Sequence, residues 1–188
     1  PQFHPFHEND EWWGKGFTEW TNVTKAKPNF IGHYQPHLPI HNGFYDLRIP
    51  EVMIEQARLA KNYGIYGFNF YYYWFNGKVL MQKPFEILLQ HKEIDINFCI
   101  TWANENWTRT WDASENEVLI AQRHSDIDSK EFIRNIFQYF EDPRYIRVNN
   151  KPVLIIYRCD IIPNIFEMTL IWREEVIKAG FEGIHLVF

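Results

Sequence analysis

"PEVMIEQARLAKNYGIYGFNFYYYWF", residues 50–75, decides how this chain is expected to fold. Its first half reads as a helix. Pro50 suits a first helical turn, Glu51 suits the positive end of the helix dipole, and Gly64 suits the stop. Val52, Ile54, Ala57, Leu59 and Ala60 supply an approximate apolar stripe. The second half, from Ile65 to Phe75, reads as a strand built of aromatic residues. It is apolar on both faces, as buried parallel strands are. A helix that runs directly into such a strand is a repeating unit of a parallel α/β sheet.

The pattern recurs downstream. "PFEILLQHK" (84–92), "SKEFIRNIFQYFED" (129–142) and "NIFEMTLIWREEVIKAG" (164–180) read as helices. "IDINFCITW" (94–102), "KPVLIIYR" (151–158) and "GIHLVF" (183–188) read as strands. With Gln2-Phe3-His4 as the end of a first strand, strands and helices alternate along the chain, and right-handed βα units follow. The expected fold class is α/β: a single (β/α)8 TIM-type barrel domain over 1–188, truncated after about five strands, since a whole barrel needs about 250 residues. The chain ends on a bare strand, which fits truncation. A doubly wound sheet is the alternative, but no GxGxxG or GxxxxGK phosphate loop follows any strand. Residues 1–49, rich in Pro, His, Asn and Gly, read as a long loop on the active-site face. Residues 103–127 read as a second long loop.

Composition narrows the function. A net charge of −5 offers no basic face for nucleic acid. No apolar run reaches the roughly 18–20 residues of a membrane span. No signal peptide is visible, and the chain begins at Pro1 rather than Met, so an N-terminal piece is expected to be missing. Cys99 and Cys159 lie in or at the end of apolar runs and read as reduced core thiols. Aromatic residues reach 18%, with 8 Trp beside many Asn, Gln and His, which fits surfaces that stack on ring-shaped ligands.

Sites in parallel sheets form at the C-terminal ends of the strands. Those ends here carry Gln2 and His4, then Tyr71 to Trp74, then "TWANENWTRTW" (101–111), then Tyr157, Arg158 and Asp160. Each is polar and aromatic at once. Aromatic rings stack on the apolar faces of sugars, while Asn, Glu, Arg and His bind hydroxyls. An oligosaccharide or polysaccharide therefore fits better than a phosphate ligand. Glu105, between Trp102, Asn104, Asn106 and Trp107, is placed to act as a general acid or base with a raised pKa. Retaining glycosidases use a second carboxylate about 5–5.5 Å away. The candidates are Glu19, Asp46, Asp112 and Asp160, and Glu19 stands out because Trp20 follows it. Arg109 is a candidate substrate ligand or a partner of Asp112. Alternation along a strand puts about half of Tyr72, Tyr73 and Trp74 in the pocket. His33, His37 and His41 recur at helical spacing, but Pro36 and Pro39 break any helix there, so no metal site is expected. No HExxH or GxSxG is present. Two N-x-[ST] triplets, at Asn22 and Asn106, match by chance length alone.

"PQFHPFHENDEWWGKGFTEWTNVTKAKPNFIGHYQPHLP", "GFYDLR", "YGIYGFNFYYYWFNGK" and "FCITWANENWTRTWD" resemble the WbsX family, which carries a glycosyltransferase label and glycoside hydrolase family 99-like domains. The family comes from bacterial surface-polysaccharide loci. The resemblance runs from residue 1 to about 160. It implies a (β/α)8 barrel acting on glycosidic bonds, similar in fold to the endo-α-mannosidases. It also implies carboxylate-assisted participation of the sugar 2-hydroxyl, with no covalent enzyme intermediate. Its catalytic carboxylates are expected on a later Glu-Trp-x-Glu-Gly-type segment, outside these residues, which moves Glu105 toward a sugar-holding role.

The expectation is a bacterial carbohydrate-active enzyme domain that cleaves or transfers glycosyl units of a surface polysaccharide, in the cytoplasm rather than the periplasm, with no cofactor. Glu105 and Glu19 are its candidate catalytic residues. His4, Trp20, Tyr72, Trp74, Trp102, Asn104, Asn106 and Arg109 are its candidate substrate-binding residues. A non-catalytic glycan-binding barrel and a nucleotide-sugar-dependent transferase are the alternatives.

Overall fold

The computed structural model of the chain describes residues 4–109 and 114–188. Its backbone divides into two compact units, residues 1–56 with 83–94, and residues 57–82 with 95–188.

The first unit carries the short helices α1 (His7–Trp13) and α2 (Glu19–Lys25), the start of α3 (Pro50–Asn62) and all of α4 (Lys83–Gln90). The two short helices fall where the sequence reads as continuous loop. Seven residues give too few turns for an apolar stripe to register. Side chains hold this region: the buried Asn9 donates Nδ2 to the carbonyl of Phe17 at 2.8 Å, and Trp13 stacks on Phe17 at 5.7 Å. Helix α3 ends as its sequence predicts. Gly64 adopts φ 77, Ile65 N donates to Ala60 O at 2.9 Å, and Gly64 N donates to Lys61 O at 3.0 Å.

Among the described residues the second unit holds every strand: β1 (Gly67–Phe75), β2 (Lys78–Leu80), β3 (Asn97–Trp102), β4 (Trp107–Arg109), β5 (Ser114–Ile120), β6 (Arg147–Val148), β7 (Lys151–Ile156) and β8 (His185–Val187). Besides the rest of α3 it carries the helices α5 (Asp126–Asn135), α6 (Phe137–Phe140) and α7 (Ile165–Lys178). Strands β1, β3, β7 and β8 run parallel, each beside the next. Helices α5 and α6 connect β3 to β7, and α7 connects β7 to β8. This is the alternation read from the sequence.

Closure is different. Among the described residues the sheet is open, with no closed barrel. His4 lies outside any strand, and Gln2 lies outside the described residues. Hairpins finish the pairing instead. Asn76-Gly77, both at positive φ (48 and 85), turn β1 back into β2. Asn149-Asn150, at φ 49 and 62, join β6 to β7. Within the expected loop over 103–127, β4 and β5 pair antiparallel, Trp107 with Ile120 and Thr108 with Val118.

One face of the parallel sheet is the core. Tyr72, Trp74 and Trp102 pack against α5, with Trp102 stacked on Phe132 at 4.8 Å and edge-on to Trp172 of α7 at 5.8 Å. Burying a side chain of this size contributes several kcal/mol, at about 25 cal/mol per Å². Side chains alternate along a strand, so the opposite face carries Asn69, Tyr71 and Tyr73 from β1 and Thr101 from β3. Asn69 and Thr101 hydrogen-bond across the strands, with Nδ2 donating to Oγ1 at 2.6 Å.

Candidate functional site

The C-terminal ends of β3 and β7 meet through one buried amide. Asn104, fully buried, donates Nδ2 to the Arg158 carbonyl at 2.6 Å and accepts from the Arg158 N–H at 2.8 Å. A carboxamide is costly to bury unless its donor and acceptor are both satisfied, and the backbone of Arg158 satisfies both. Two strand-end contacts sit beside it: Ala103 N donates to Tyr72 O at 3.0 Å, and Tyr157 N to Trp102 O at 3.2 Å.

From this anchor the Arg158 guanidinium reaches two carboxylates. It donates Nε and Nη2 to Asp160 at 2.7 and 2.6 Å, and Nη1 to Glu105 at 2.9 Å. Arg158 holds the Asp160 carboxyl below its ordinary pKa, chiefly through the hydrogen bonds. Reciprocally, Asp160 first and Glu105 second hold the guanidinium well above its ordinary value. All three side chains stay in contact with solvent. Tyr71 and Tyr157, 39% and 50% exposed, meet edge to face at 5.7 Å. Tyr73 and Phe75 pack on Trp107 at 4.9 and 5.5 Å.

The other expected residues of this unit have clear positions. Asn106 is exposed and accepts from the Gln122 N–H at 2.7 Å, tying the strand end to the β4–β5 pair. Tyr72, Trp74 and Trp102 are only 1%, 3% and 1% exposed, so they present packing surface to α5 rather than rings to a ligand. Trp74 also donates its indole N–H to Asp128 at 2.8 Å, fastening β1 to the first turn of α5. The Arg109 side chain and Asp112 lie outside the described residues.

The first unit holds a second group. Trp20 donates its indole N–H to Tyr45 O at 3.0 Å and stands edge-on to the Phe44 and Tyr45 rings. Glu19, in the first turn of α2, has its pKa raised by burial, so it keeps a proton more readily than a free glutamate. Tyr45 is raised by burial and then by the Glu19 charge. His4 is buried, and Asp46 is held low, first by its hydrogen bonds to Arg48 at 3.0 and 2.6 Å.

Sequence reasoning therefore passed over Tyr71, Tyr157 and Arg158 in choosing residues, and over Tyr45. It singled out the strand ends but took side chains from the buried phase, Tyr72, Trp74 and Trp102, along with exposed ones. The phase follows from which face the helices cover, and strands apolar on both sides do not display it. Among the described residues no group of three His, Cys, Asp or Glu side chains is placed to hold a metal ion. Among them too, no helix is long and apolar enough to cross a membrane.

Parallel strands joined by helices, with polar and aromatic residues at their C-terminal ends, define an α/β domain. A solved "Glycoside hydrolase-like protein" matches it with a TM-score of 0.55 at 17% identity, over 79% of this chain and 45% of that one, a likeness of fold. The chain belongs to the family described as "Glycosyltransferase WbsX", whose model matches residues 1–188. "Uncharacterized protein WxcX" of Xanthomonas campestris pv. campestris, in strain B100 and in a second strain, is 48% identical over all 188 residues. The chain spans 27% of the length of those relatives. Family and fold together suggest a carbohydrate-active domain.

Proposed function

We propose that these residues are part of a (β/α)8 barrel that binds a glycan and cleaves or transfers glycosyl units of a bacterial surface polysaccharide. The observation that carries the reading is what the strand ends gather: the exposed pair Tyr71 and Tyr157, and the ion-pair group of Glu105, Arg158 and Asp160. The two tyrosines stack on sugar faces, and the charged groups bind hydroxyls. Glu105 is a hydroxyl acceptor fixed by Arg158. Glu19 is the carboxyl suited to carry a proton, because burial raises its pKa. Trp20 supports Glu19 through Tyr45. Tyr72, Trp74, Trp102 and Asn104 serve the site by holding the strand ends in place.

The pairing of Glu105 with Arg158 favours a second reading, a glycan-binding barrel without turnover of its own. A glycan-binding and hydrolysis screen of the full-length protein tests both. Glu105→Gln is expected to weaken binding, and Glu19→Gln to lower turnover while binding holds. Binding without any turnover selects the second reading. Unchanged affinity in Glu105→Gln removes Glu105 from the site.

A further inference from the structure

The charges at the strand ends determine what kind of glycan the site accepts. Three of the five guanidinium N–H groups of Arg158 are committed to carboxylates, two to Asp160 and one to Glu105. The Nε–Nη2 edge, the fork that would grip an incoming carboxylate or phosphate, is filled by Asp160. Two carboxylates against one guanidinium leave the group at a formal −1, in a chain of net charge −5. The side chains of Arg158, Glu105 and Asp160 are 42%, 44% and 61% exposed, where ion pairs add little to stability. Their larger effect is the field they set around a ligand. Asn104 fixes the backbone from which the guanidinium extends, so the arrangement is held in place before any ligand arrives.

We infer that this strand-end site takes uncharged or amino-bearing glycans and rejects anionic ones, uronates and nucleotide diphosphates alike. The inference rests on the carbohydrate reading above and sharpens it. An anion that takes the Nε–Nη2 fork must displace Asp160, and one that takes the two remaining N–H groups still faces both carboxylates. A sugar hydroxyl only donates to carboxylate lone pairs that remain open, since each carboxylate offers about four acceptor positions. An ammonium group gains in addition from the net negative charge.

A glycan array containing neutral, amino and uronate oligosaccharides, followed by titration calorimetry on the full-length protein with UDP as the diphosphate probe, tests this. Uronates and UDP are expected to bind at least about fivefold more weakly than neutral glycans for each unit of like charge at low salt, with the gap closing in about 0.5 M salt. In a Glu105→Gln, Asp160→Asn double variant the group becomes formally +1, and the preference is expected to swing toward uronates. Uronates or UDP binding as tightly as neutral glycans, or a preference unmoved in the double variant, overturns the inference and leaves the carbohydrate reading intact. A protein that binds no glycan on the array overturns both.

Discussion

Replacing Asn104 by Ala removes the clamp that joins the β3 and β7 ends. Asn104 is fully buried and spends one donor and one acceptor on the Arg158 backbone, at 2.6 and 2.8 Å. The substitution loses two hydrogen bonds and leaves the Arg158 N–H and C=O without that partner. At about 1 kcal/mol per bond, and up to about 3 kcal/mol for a buried group left unmade, the cost is about 2–4 kcal/mol. For a domain of about 150–250 residues that corresponds to about 4–16 °C in the midpoint of thermal unfolding. Asn104→Asp keeps the shape and the acceptor but sets a carboxylate oxygen against the Arg158 carbonyl. Its burial favours the protonated form, so the folded-state pKa lies above the unfolded one. The stability of that variant is then greatest at low pH and is lost as pH rises through the folded pKa. Thermal unfolding followed by tryptophan fluorescence, from acid to neutral pH, reads both variants. An Ala variant that melts with the wild type but no longer binds glycan would show that Asn104 contacts ligand and that the clamp reasoning is wrong.

Three further outcomes follow from the packing and the charges. Trp102→Ala is expected to cost about 3–5 kcal/mol, and Trp102→Phe much less, because Trp102 fills the space between Phe132 and Trp172; urea unfolding measures the difference. Gly67→Ala places a Cβ 2.7 Å from the Asn97 carbonyl oxygen, a backbone atom that cannot swing away, so the β1 and β3 backbones must move apart locally at a cost of about 1–3 kcal/mol, read as a lower melting point. Burial raises the Glu19 pKa, so its contribution to stability is complete below its unfolded value of 4.5 and is lost as pH rises through the folded value. Relative to Glu19→Gln, the wild type should therefore be favoured most in acid, and parallel melting curves across pH would contradict this.

The order of the parallel sheet was legible because β1, β3, β7 and β8 are apolar runs between helices of clear period. Gly64 marked the end of α3 for a plain conformational reason, its positive φ. The β4–β5 pair was not legible: "TWANENWTRTW" is dense in polar and aromatic residues and has no alternating pattern to betray a short, bulged ladder. The Asn76-Gly77 turn was readable in principle, since Asn-Gly is the preferred pair for such a hairpin, but only three residues follow it in β2. The site was half legible. Glu105 stands at a strand end as expected, yet its partner Arg158 lies 53 residues away, and no local pattern links them. Tyr72 and Trp74 look as suitable for a sugar as Tyr71 and Tyr73. Only α5, lying across one face of the sheet, separates the buried pair from the exposed phase.

That phase is the claim to test most directly. Glycan affinity should be measured by calorimetry for the full-length protein and for Tyr71→Ala, Glu105→Gln and Trp102→Phe, each checked for an unchanged melting point or corrected for its shift. Loss of at least about tenfold in affinity, about 1.4 kcal/mol, is predicted for the first two, with Trp102→Phe binding as the wild type does. Wild-type affinity in Tyr71→Ala and Glu105→Gln, together with lost binding in a folded Trp102→Phe, would contradict the account.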